Sequence, residues 1–424
     1  MNYHASVRYL LSLGRELAAP TQAAAAKFDL ENISVLAERL GRPDRAYPSA
    51  HIAGTNGKGS TAAFLESILR RAGFRTGLNT SPHLEKINER IRINGVEITD
   101  EAFAETFTRI RGVIEELLAD GKLRAHPTYF ECVTAMAFEY FARERVEFAV
   151  FEVGLGGRLD ATNILSPVVT IITRIDFDHE NFLGHSLREI ASEKAGILKP
   201  EVPLVLAEQR PEAREVILAR AQELGCPVTE AGPDPTLEIA PSLPGRFQLQ
   251  NAQNALAATR VLQNRGFRIP ADAIADGIAN TVWPGRLEKL QSGPDVYLDG
   301  AHNPSAAFEL ATFLEQNFAG RKIWLLFAAL RDKAVDEVAG LLFPRAEEVI
   351  LTAPRTSRAI SPAQLAEIAG HHAARFSVIP EAEQALDYAL SKAAPDDAIF
   401  ITGSLYLVGQ LRHYWKNRAQ VHAR

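Results

Sequence analysis

The chain has 424 residues, a length at which a single hydrophobic core usually gives way to two domains. Its 46 basic and 52 acidic side chains give a net charge of −6 without a basic cluster, which argues against a nucleic-acid-binding protein. Two cysteines suggest no disulfide or metal framework, and no apolar run approaches the roughly 18 residues needed to cross a membrane. We therefore expect a cytoplasmic protein whose partners are neither nucleic acid nor a membrane.

The first motif that carries chemistry is a glycine-rich turn after an apolar strand. Residues 51–61 read HIAGTNGKGST, and a helical pattern runs from Ala62 to Arg71. Glycines let backbone N–H groups converge on anionic oxygens, and the helix N-terminus adds partial positive charge. Lys58 adds an ammonium group that we expect to be exposed. The spacing differs from the common G-x-x-x-x-G-K-S/T loop. An ordinary tight turn is the alternative, but this composition predicts binding of an ATP-type triphosphate.

Short β-rich runs alternate with helical patterns along most of the chain, which is typical of an α/β protein with a largely parallel sheet. Buried strands are predicted at Glu147–Val153, Val168–Thr173 and Val202–Leu206. A helix that covers one face of this sheet is predicted from core residues at helical spacing. These residues are Phe130, Val133, Ala137, Tyr140 and Phe141.

The second part of the chain repeats this alternation after a passage rich in proline and glycine. Ala231–Gly245 predicts a surface loop before a helix that begins near Gln250, and Trp283–Pro294 predicts the domain junction. Further strands are predicted at Val296–Leu298, Ile323–Phe327, Glu348–Leu351 and Ala398–Thr402. The predicted fold class is α/β. Residues 1–290 form a P-loop-type domain with a mostly parallel sheet, and residues 291–424 form a smaller doubly wound, Rossmann-like domain.

Polar clusters follow successive predicted strands, at the sheet edge where α/β proteins bind ligands. They contain Ser81, Glu152 and His179. Taken singly, each residue has a structural interpretation as a cap, an ion pair or part of a turn. Together, downstream of a phosphate loop, a hydroxyl, a carboxylate and an imidazole suit Mg²⁺ that also coordinates nucleotide oxygens.

Several short strings then occur in an order that resembles one known family. They are GTNGKGS, TSPHL, TYFE, EVGLGGRLDATN, DHENFLG, EKAGILK, WPGRLE, DGAHNP and GSLYLVG. In these strings the chain resembles the folylpolyglutamate synthase and dihydrofolate synthase family of the Mur-type ligase group, from about residue 28 to about residue 410. The resemblance implies an ATP-dependent ligase that adds L-glutamate to dihydropteroate and to reduced folates. It also favours a monomer.

The resemblance implies roles for particular residues. The triphosphate loop would be Gly57, Lys58, Gly59 and Ser60, and further nucleotide contacts would come from Asn254, Arg286 and Asp299. Ser81, Glu152 and His179 match magnesium ligands. The pterin pocket would contain Leu30, Glu31, Asn32, Thr128, Leu159, Asp160 and Ala161, while His302 and Ser404 match positions linked to the incoming glutamate. Helix capping remains an alternative for Asn32 and Thr128, and a surface linker charge for Arg286.

Lys194, in the string EKAGILK, matches the lysine that carries a CO₂-derived carbamate in Mur-type ligases. The plain alternative is a solvated lysine on the helix that contains Arg188 and Glu189. A carbamate would replace an ammonium by an anion with two oxygens, which suits a second Mg²⁺. The expected catalytic residues are therefore Lys58, Lys194 and His302, with ATP and two Mg²⁺ ions.

The chemistry of amide formation agrees with this interpretation, because a carboxylate must first be activated, here as an acyl phosphate. The alternatives are a monofunctional folylpolyglutamate synthase, another Mur-type amino-acid ligase, and a P-loop kinase or nucleotide-gated binding module. A peptidoglycan Mur ligase would need a nucleotide-sugar domain, and the 53 residues before Gly54 are too few for one. A kinase would leave the second domain, Glu152 and His179 without explanation.

Overall fold

The computed structural model describes residues 1–14, 29–234 and 240–422. Contacts between backbone positions divide the chain into two compact units. Unit 1 contains Met1–Asp176, Glu180–Ser242 and Gln248–Thr281, and unit 2 contains Phe177–His179, Leu243–Phe247 and Val282–Arg424. Residues 235–239 of the predicted loop lie outside the described residues. The boundary between residues 290 and 291 stays a prediction.

Unit 1 is built on a mixed sheet whose central strands are all parallel. Its strands are β1 (Ser49–Ala53), β2 (Thr76–Asn79), β3 (Ile91–Ile93), β4 (Val96–Glu97), β5 (Phe148–Glu152), β6 (Val169–Ile172), β7 (Leu204–Leu206) and β8 (Val228–Glu230). Their order is β4-β3-β2-β5-β1-β6-β7-β8, and only the pairs β2/β3 and β3/β4 are antiparallel. Strands covered on both faces are expected to be apolar throughout. The sequences FAVFE of β5 and VTII of β6 are fully buried.

The helices of unit 1 pack on this sheet and on one another. They are α1 (Tyr3–Ser12), α2 (Glu31–Arg39), α3 (Lys58–Arg71), α4 (Asp100–Ala119), α5 (Tyr129–Arg143), α6 (Glu180–Leu183), α7 (Leu187–Ala195), α8 (Pro211–Glu223), α9 (Arg246–Asn264) and α10 (Ala271–Ala279). Of the aromatic and aliphatic positions predicted on α5, Val133, Ala137 and Phe141 are buried, whereas Phe130 and Tyr140 are half-buried. The helix predicted to begin near Gln250 begins one turn earlier, at Arg246.

Unit 2 has a second sheet, with one antiparallel edge strand. Its strands are β9 (Glu288–Gln291), β10 (Asp295–Leu298), β11 (Ile323–Phe327), β12 (Glu348–Ala353), β13 (Phe376–Glu381) and β14 (Ala398–Thr402), in the order β13-β12-β11-β14-β10-β9. Its helices are α11 (Pro304–Asn317), α12 (Val335–Leu342), α13 (Pro362–Ala369), α14 (Ala382–Lys392) and α15 (Leu405–His422). The predicted fold class of two α/β units is confirmed, and β9 and β13 are additions to it.

Three parallel strands of unit 1 bring their following loops to one edge of the sheet. β1 lies between β5 and β6, with Ile52 paired to Glu152 on one side and to Ile171 on the other. The loops after these strands therefore emerge side by side, as the order of polar clusters in the sequence predicts. Cys132 and Cys226 are buried thiols. Within the described ranges, no helix has the length and apolar character needed to cross a membrane.

A buried histidine on β1 is held neutral by its surroundings. His51 has no solvent exposure, and its Nε2 lies 2.8 Å from the hydroxyl oxygen of Thr162. Since that hydroxyl donates its hydrogen bond to Asp160, Nε2 of His51 must be the donor to Thr162, and the buried Nδ1 has no hydrogen-bond partner among the described residues. Burial, together with the Lys199 ammonium, lowers the pKa of His51 to about 3.

This histidine predicts a loss of stability in mild acid. Between its unfolded pKa of about 6.5 and the folded value, only the unfolded chain binds the proton, so the free energy of unfolding decreases as pH falls below 6.5. We expect His51 to contribute a loss of about 2 kcal/mol between pH 6.5 and 5. Urea unfolding at both pH values should show a smaller loss for His51→Gln than for the unmodified chain. His4→Gln, at an exposed position, is the control. An equal loss of stability in His51→Gln and in the unmodified chain would contradict the assignment.

Candidate active site

The predicted phosphate loop lies between β1 and α3, and two of its glycines are required by close packing. Gly54 has φ +151°, and a Cβ there would lie 1.8 Å from the Thr173 hydroxyl oxygen. Gly57 has φ +87°, and a Cβ there would lie 2.2 Å from Oδ1 of Asn251. The loop is also tied to the segment after β6, because the backbone N–H groups of Thr55 and Asn56 donate to the carbonyl of Arg174. Close packing at Gly54 and Gly57, together with the hydrogen bonds to Arg174, thus fixes the loop conformation.

Two lysines converge on this loop. Nζ of Lys58 donates to the carbonyl oxygens of Gly54 and Thr55, both at 3.0 Å. Nζ of Lys194, from the last turn of α7, donates to the same Gly54 oxygen at 2.8 Å. Lys58 is half-buried rather than exposed, so that expectation is wrong. Lys194 is only 4% exposed, so the interpretation as a solvated lysine is also wrong.

Asn251, with its neighbour Gln248 on α9, lies against the predicted phosphate loop, and the sequence interpretation missed both residues. Asn251 packs its amide against Gly57 and donates through Nδ2 to Oε1 of Gln248 at 3.0 Å. The Nε2 atom of Gln248 is buried, and no described residue forms a hydrogen bond with it. Asn254 follows Asn251 by one helical turn and is also buried. Contact with the phosphate loop therefore identifies Asn251, whereas the nucleotide contact of Asn254 stays a prediction.

Ser81 and Glu152 form the part of the predicted metal site that unit 1 provides. Glu152 ends β5 and is 6% exposed, and its Oε2 accepts the backbone N–H of Ser81 at 3.0 Å. Glu152 offers carboxylate oxygens and Ser81 a hydroxyl, and Mg²⁺ prefers oxygen donors of both kinds. The donor set therefore fits a magnesium ion. The third predicted ligand, His179, groups with unit 2.

One of the predicted pterin residues, Asp160, lies beside Gly154, after β5. A Cβ on Gly154 would lie 2.4 Å from the ring of Phe130 and 3.1 Å from Oδ2 of Asp160. Asp160 is buried and accepts hydrogen bonds from the Leu155 N–H and the Thr162 hydroxyl. Burial raises the pKa of Asp160, although the hydrogen bond from Thr162 opposes that change. The carboxylate thus has a fixed orientation.

The other predicted pterin residues differ in their burial. Leu30 and Ala161 belong to the same hydrophobic cluster as Phe130. Leu159 and Asn32 are half-buried, and Glu31 is exposed at the start of α2. Thr128 is the N-cap of α5 in a reciprocal bond pair with Glu131, as the capping alternative proposed. Asn32 lies inside α2, so the capping alternative for this residue is wrong.

Arg286 and Asp299 lie together in unit 2. Asp299 is 5% exposed and accepts the N–H groups of Leu287 and Ala301 at 3.0 and 2.9 Å. Burial raises the pKa of Asp299, and the positive charge of Arg286 opposes that rise. A Cβ on Gly300 would lie 2.5 Å from Nη1 of Arg286. The half-buried guanidinium is therefore held within unit 2 and is not a surface linker charge.

His302 and Ser404 follow the neighbouring parallel strands β10 and β14, and backbone hydrogen bonds join their loops. The N–H of Gly403 donates to the carbonyl of Ala301 at 2.9 Å. Nδ1 of His302 donates to the carbonyl of Gly300 at 2.7 Å, which leaves Nε2 as the basic nitrogen. Burial and the Lys333 ammonium lower the pKa of His302 to about 4, so the imidazole is neutral at pH 7.

Asp178 and Lys333 form a buried ion pair in unit 2 that the sequence interpretation also missed. Their atoms are 2.7 Å apart, and the side chains are 10% and 7% exposed. Asn303 donates to Asp178 at 3.0 Å, and Nε2 of His302 lies 3.8 Å from the same carboxylate. Burial alone would raise the pKa of Asp178, but Lys333, with His179 and His302, holds it well below its usual range. His179, at φ +52°, directly follows Asp178 and is hydrogen-bonded to it, so it lies beside this cluster.

Removing the positive partner of this pair predicts a large loss of stability. Lys333→Met leaves the buried Asp178 charge unpaired, so we expect the free energy of unfolding to fall by about 3–5 kcal/mol. The double variant Lys333→Met/Asp178→Asn should recover much of that loss. Lys322→Met is the control, because its pair with Glu347 at 3.7 Å is exposed. The free energy of unfolding of all three variants is measured by chemical denaturation. Equal values for Lys333→Met and Lys322→Met would contradict the prediction.

Comparison with known proteins agrees with this arrangement. The Mur ligase middle domain matches residues 52–234, and the Mur ligase glutamate ligase domain matches residues 285–405. The dihydrofolate synthase/folylpolyglutamate synthase of Bacillus subtilis is 37% identical over 90% of this chain and 94% of its own. The corresponding protein of Escherichia coli is 34% identical over 90% of both chains.

Solved structures extend the similarity to the whole fold. Escherichia coli FolC in complex with DHPP and ADP superposes with a TM-score of 0.87 and 31% identity over 98% of both chains. The bifunctional folylpolyglutamate synthase/dihydrofolate synthase of Yersinia pestis, complexed with AMPPNP and an Mn ion, gives a TM-score of 0.84 and 30% identity over 98% of both chains. The predicted family is therefore confirmed: the chain belongs to the dihydrofolate synthase/folylpolyglutamate synthase family of ATP-dependent ligases.

Proposed function

We propose that this chain adds L-glutamate both to dihydropteroate and to reduced folates, through an acyl-phosphate intermediate. The observation that carries the proposal is the pair of lysines on the Gly54 carbonyl before α3, with the Ser81–Glu152 pair at the end of the neighbouring strand β5. This arrangement combines a cradle for a triphosphate with oxygen donors for a divalent cation. A bifunctional reaction is favoured by the names of relatives from Bacillus subtilis, Mycobacterium tuberculosis and Escherichia coli.

In the first step, an oxygen of the substrate carboxylate attacks the γ-phosphorus of ATP. The bond between that phosphorus and the β,γ-bridging oxygen breaks, and ADP leaves. The chain positions the phosphates with the backbone N–H groups of Gly57, Gly59 and Ser60 at the N-terminus of α3. Lys58 neutralises negative charge on the transferred phosphoryl group. This electrostatic role is the main contribution that residues make to phosphoryl transfer.

Magnesium would be held by Ser81 and Glu152, with His179 and a modified Lys194 as further ligands. When bound, the ions neutralise phosphate charge and orient the phosphates for in-line attack. Arg286, Asp299 and Asn254 would complete the nucleotide contacts. The pterin would lie against Leu30, Glu31, Asn32, Thr128, Leu159 and Ala161, with the Asp160 carboxylate as its polar contact.

In the second step, the amine nitrogen of glutamate attacks the acyl carbon, the bond from that carbon to the phosphate oxygen breaks, and the nitrogen loses a proton. His302 is proposed to orient the amine and accept the proton at Nε2, since its neutral ring has this nitrogen free of hydrogen. Ser404, in the adjacent loop, would bind the glutamate. Residues 1–290 would then bind ATP and the pterin, and residues 291–424 would present glutamate.

We further propose that Lys194 carries a CO₂-derived carbamate. Its Nζ and that of Lys58 each lie within 3.0 Å of one carbonyl oxygen, so the two nitrogens are within about 6 Å of each other. At that distance two ammonium groups repel by about 3 kcal/mol at an effective dielectric constant near 20. Reaction of the neutral amine with CO₂ forms an N–C bond and releases a proton, and the repulsion becomes an attraction.

The protein is proposed to act as a monomer in the cytoplasm.

The decisive experiment compares dihydropteroate with tetrahydrofolate as the glutamate acceptor in an ADP-release assay. Glutamate-dependent ADP release with both acceptors is expected. The second candidate is a monofunctional folylpolyglutamate synthase, favoured by the Lacticaseibacillus casei protein of that name, which is 32% identical over 97% of this chain. Release with tetrahydrofolate alone would establish this candidate instead, and release that needs no glutamate would exclude both.

A further inference from the structure

Unit 2 contains a group of side chains of metal-binding types that have no assigned role in the ligase reaction. Asp336 is on the first turn of α12, and His371 and His372 are in the short 3₁₀ turn that follows α13. The Nε2 atoms of both histidines point to the same carboxylate oxygen of Asp336, at 3.7 and 2.9 Å. The two rings are in contact, with centroids 3.9 Å apart and ring planes inclined at 38°. We propose that these residues bind a divalent transition-metal ion of the Zn²⁺ and Ni²⁺ class.

The distances match the requirements of a shared ion. Zinc bonds of roughly 2.0–2.2 Å at a tetrahedral angle place neighbouring ligand atoms about 3.3 Å apart. The two observed separations lie on either side of that value. Adjusting them needs side-chain shifts of a few tenths of an ångström, which exposed His371 and Asp336 can make. All three ligand atoms lie within 4.8 Å of one another, so one metal ion can contact them together after such shifts, with water completing its coordination.

The elements that carry the ligands are fixed by the core. Val338 and Ala339 of α12 and Leu365 and Ala369 of α13 are buried in one hydrophobic cluster. Gly340 lies four residues after Asp336, on the same face of α12, and its missing side chain makes room for the ring of His372. A Cβ there would lie 3.3 Å from Cε1 and 3.6 Å from Nε2 of that ring. The ring of His372 thus packs against α12 at Gly340.

The donor set determines the class of ion. Two imidazoles and one carboxylate favour borderline ions such as Zn²⁺, Ni²⁺ and Cu²⁺, whereas Mg²⁺ selects oxygen ligands. The magnesium of the ligase reaction would therefore not compete for this site. A bound ion would join α12 to the turn after α13 and so stabilise unit 2.

The test uses the full chain without a polyhistidine tag, titrated calorimetrically with Ni²⁺ and with Zn²⁺ in excess Mg²⁺. One site per chain is expected. Affinity should fall by about tenfold or more in His372→Ala and in Asp336→Asn, and further in the double variant His371→Ala/His372→Ala. His185→Ala is the matched control, because His185 is an exposed histidine whose ring nitrogen lies 3.9 Å from Glu180, outside this group of ligands. This variant should bind as the unmodified chain does.

A second measurement separates loss of the site from loss of the fold. Thermal unfolding with and without Zn²⁺ should show a metal-dependent rise in melting temperature that the double variant lacks. Glutamate-dependent ATP turnover in Mg²⁺ should be the same in all variants. Undiminished Ni²⁺ affinity in the double variant would overturn the site, and undiminished affinity in Asp336→Asn would overturn the three-ligand arrangement.

Discussion

Replacement of Lys58 by alanine is expected to lower glutamate-dependent ATP turnover by about a hundredfold or more. The ammonium group of this lysine lies over the phosphate loop, within 3.0 Å of the carbonyl oxygens of Gly54 and Thr55. In the reaction it would neutralise charge that develops on the transferred phosphoryl group, so its loss should appear mainly in kcat. Lys58→Met should behave in the same way, because it retains the length of the side chain and removes only the charge.

Stability must be measured alongside turnover, because Lys58 is half-buried and makes two hydrogen bonds. We expect Lys58→Ala to cost about 1–2 kcal/mol in free energy of unfolding, which leaves the chain folded at the assay temperature. Lys122→Met is the matched control, since that exposed lysine pairs only with Asp120 at 3.4 Å. Turnover in Lys58→Met close to that of the control would contradict the proposed role.

The phosphate loop was predictable from sequence because every determinant of it is local. Glycines, a lysine and hydroxyls lie within eleven consecutive residues, and the strand before them and helix after them have their own periodicities. The environment of Lys58 was not predictable, because its burial depends on how the loop folds back. Lys194 was expected near the site only through the family resemblance. Its contact with Gly54 joins residues 140 positions apart.

Residues that act through distant partners gave no local signal. Asp178 and Lys333 are 155 positions apart, and each is an ordinary charged residue in its own segment. Likewise, His51 pairs with Thr162 across 111 positions. On α9, the family resemblance pointed to Asn254, whereas the asparagine that packs against the phosphate loop at Gly57 is Asn251, one helical turn earlier. Which asparagine faces the loop depends on the rotation of α9 about its axis, which packing sets.

Replacement of Lys194 by alanine is expected to nearly abolish ligation, and acetate is expected to restore part of it. If the residue carries a carbamate, the variant lacks a carboxylate group at a position next to the phosphate loop. A small free carboxylate fits the space left by the shortened side chain and supplies the missing oxygens. Lys194→Arg should stay inactive, because it keeps a positive charge but cannot react with CO₂ in the same way. ADP release with increasing acetate measures the rescue.

Lys199 supplies the matched control. It lies in the same string, is also partly buried, and donates to Asn163 at 2.8 and 2.9 Å. Lys199→Ala should lose stability, but acetate should not change its turnover. An independent readout is the ¹³C resonance of a lysine carbamate in protein equilibrated with ¹³C-bicarbonate. We expect this resonance in the chain without substitutions and not in Lys194→Arg. Full activity of Lys194→Arg would refute the carbamate, because a permanent cation at this position would then suffice for the reaction.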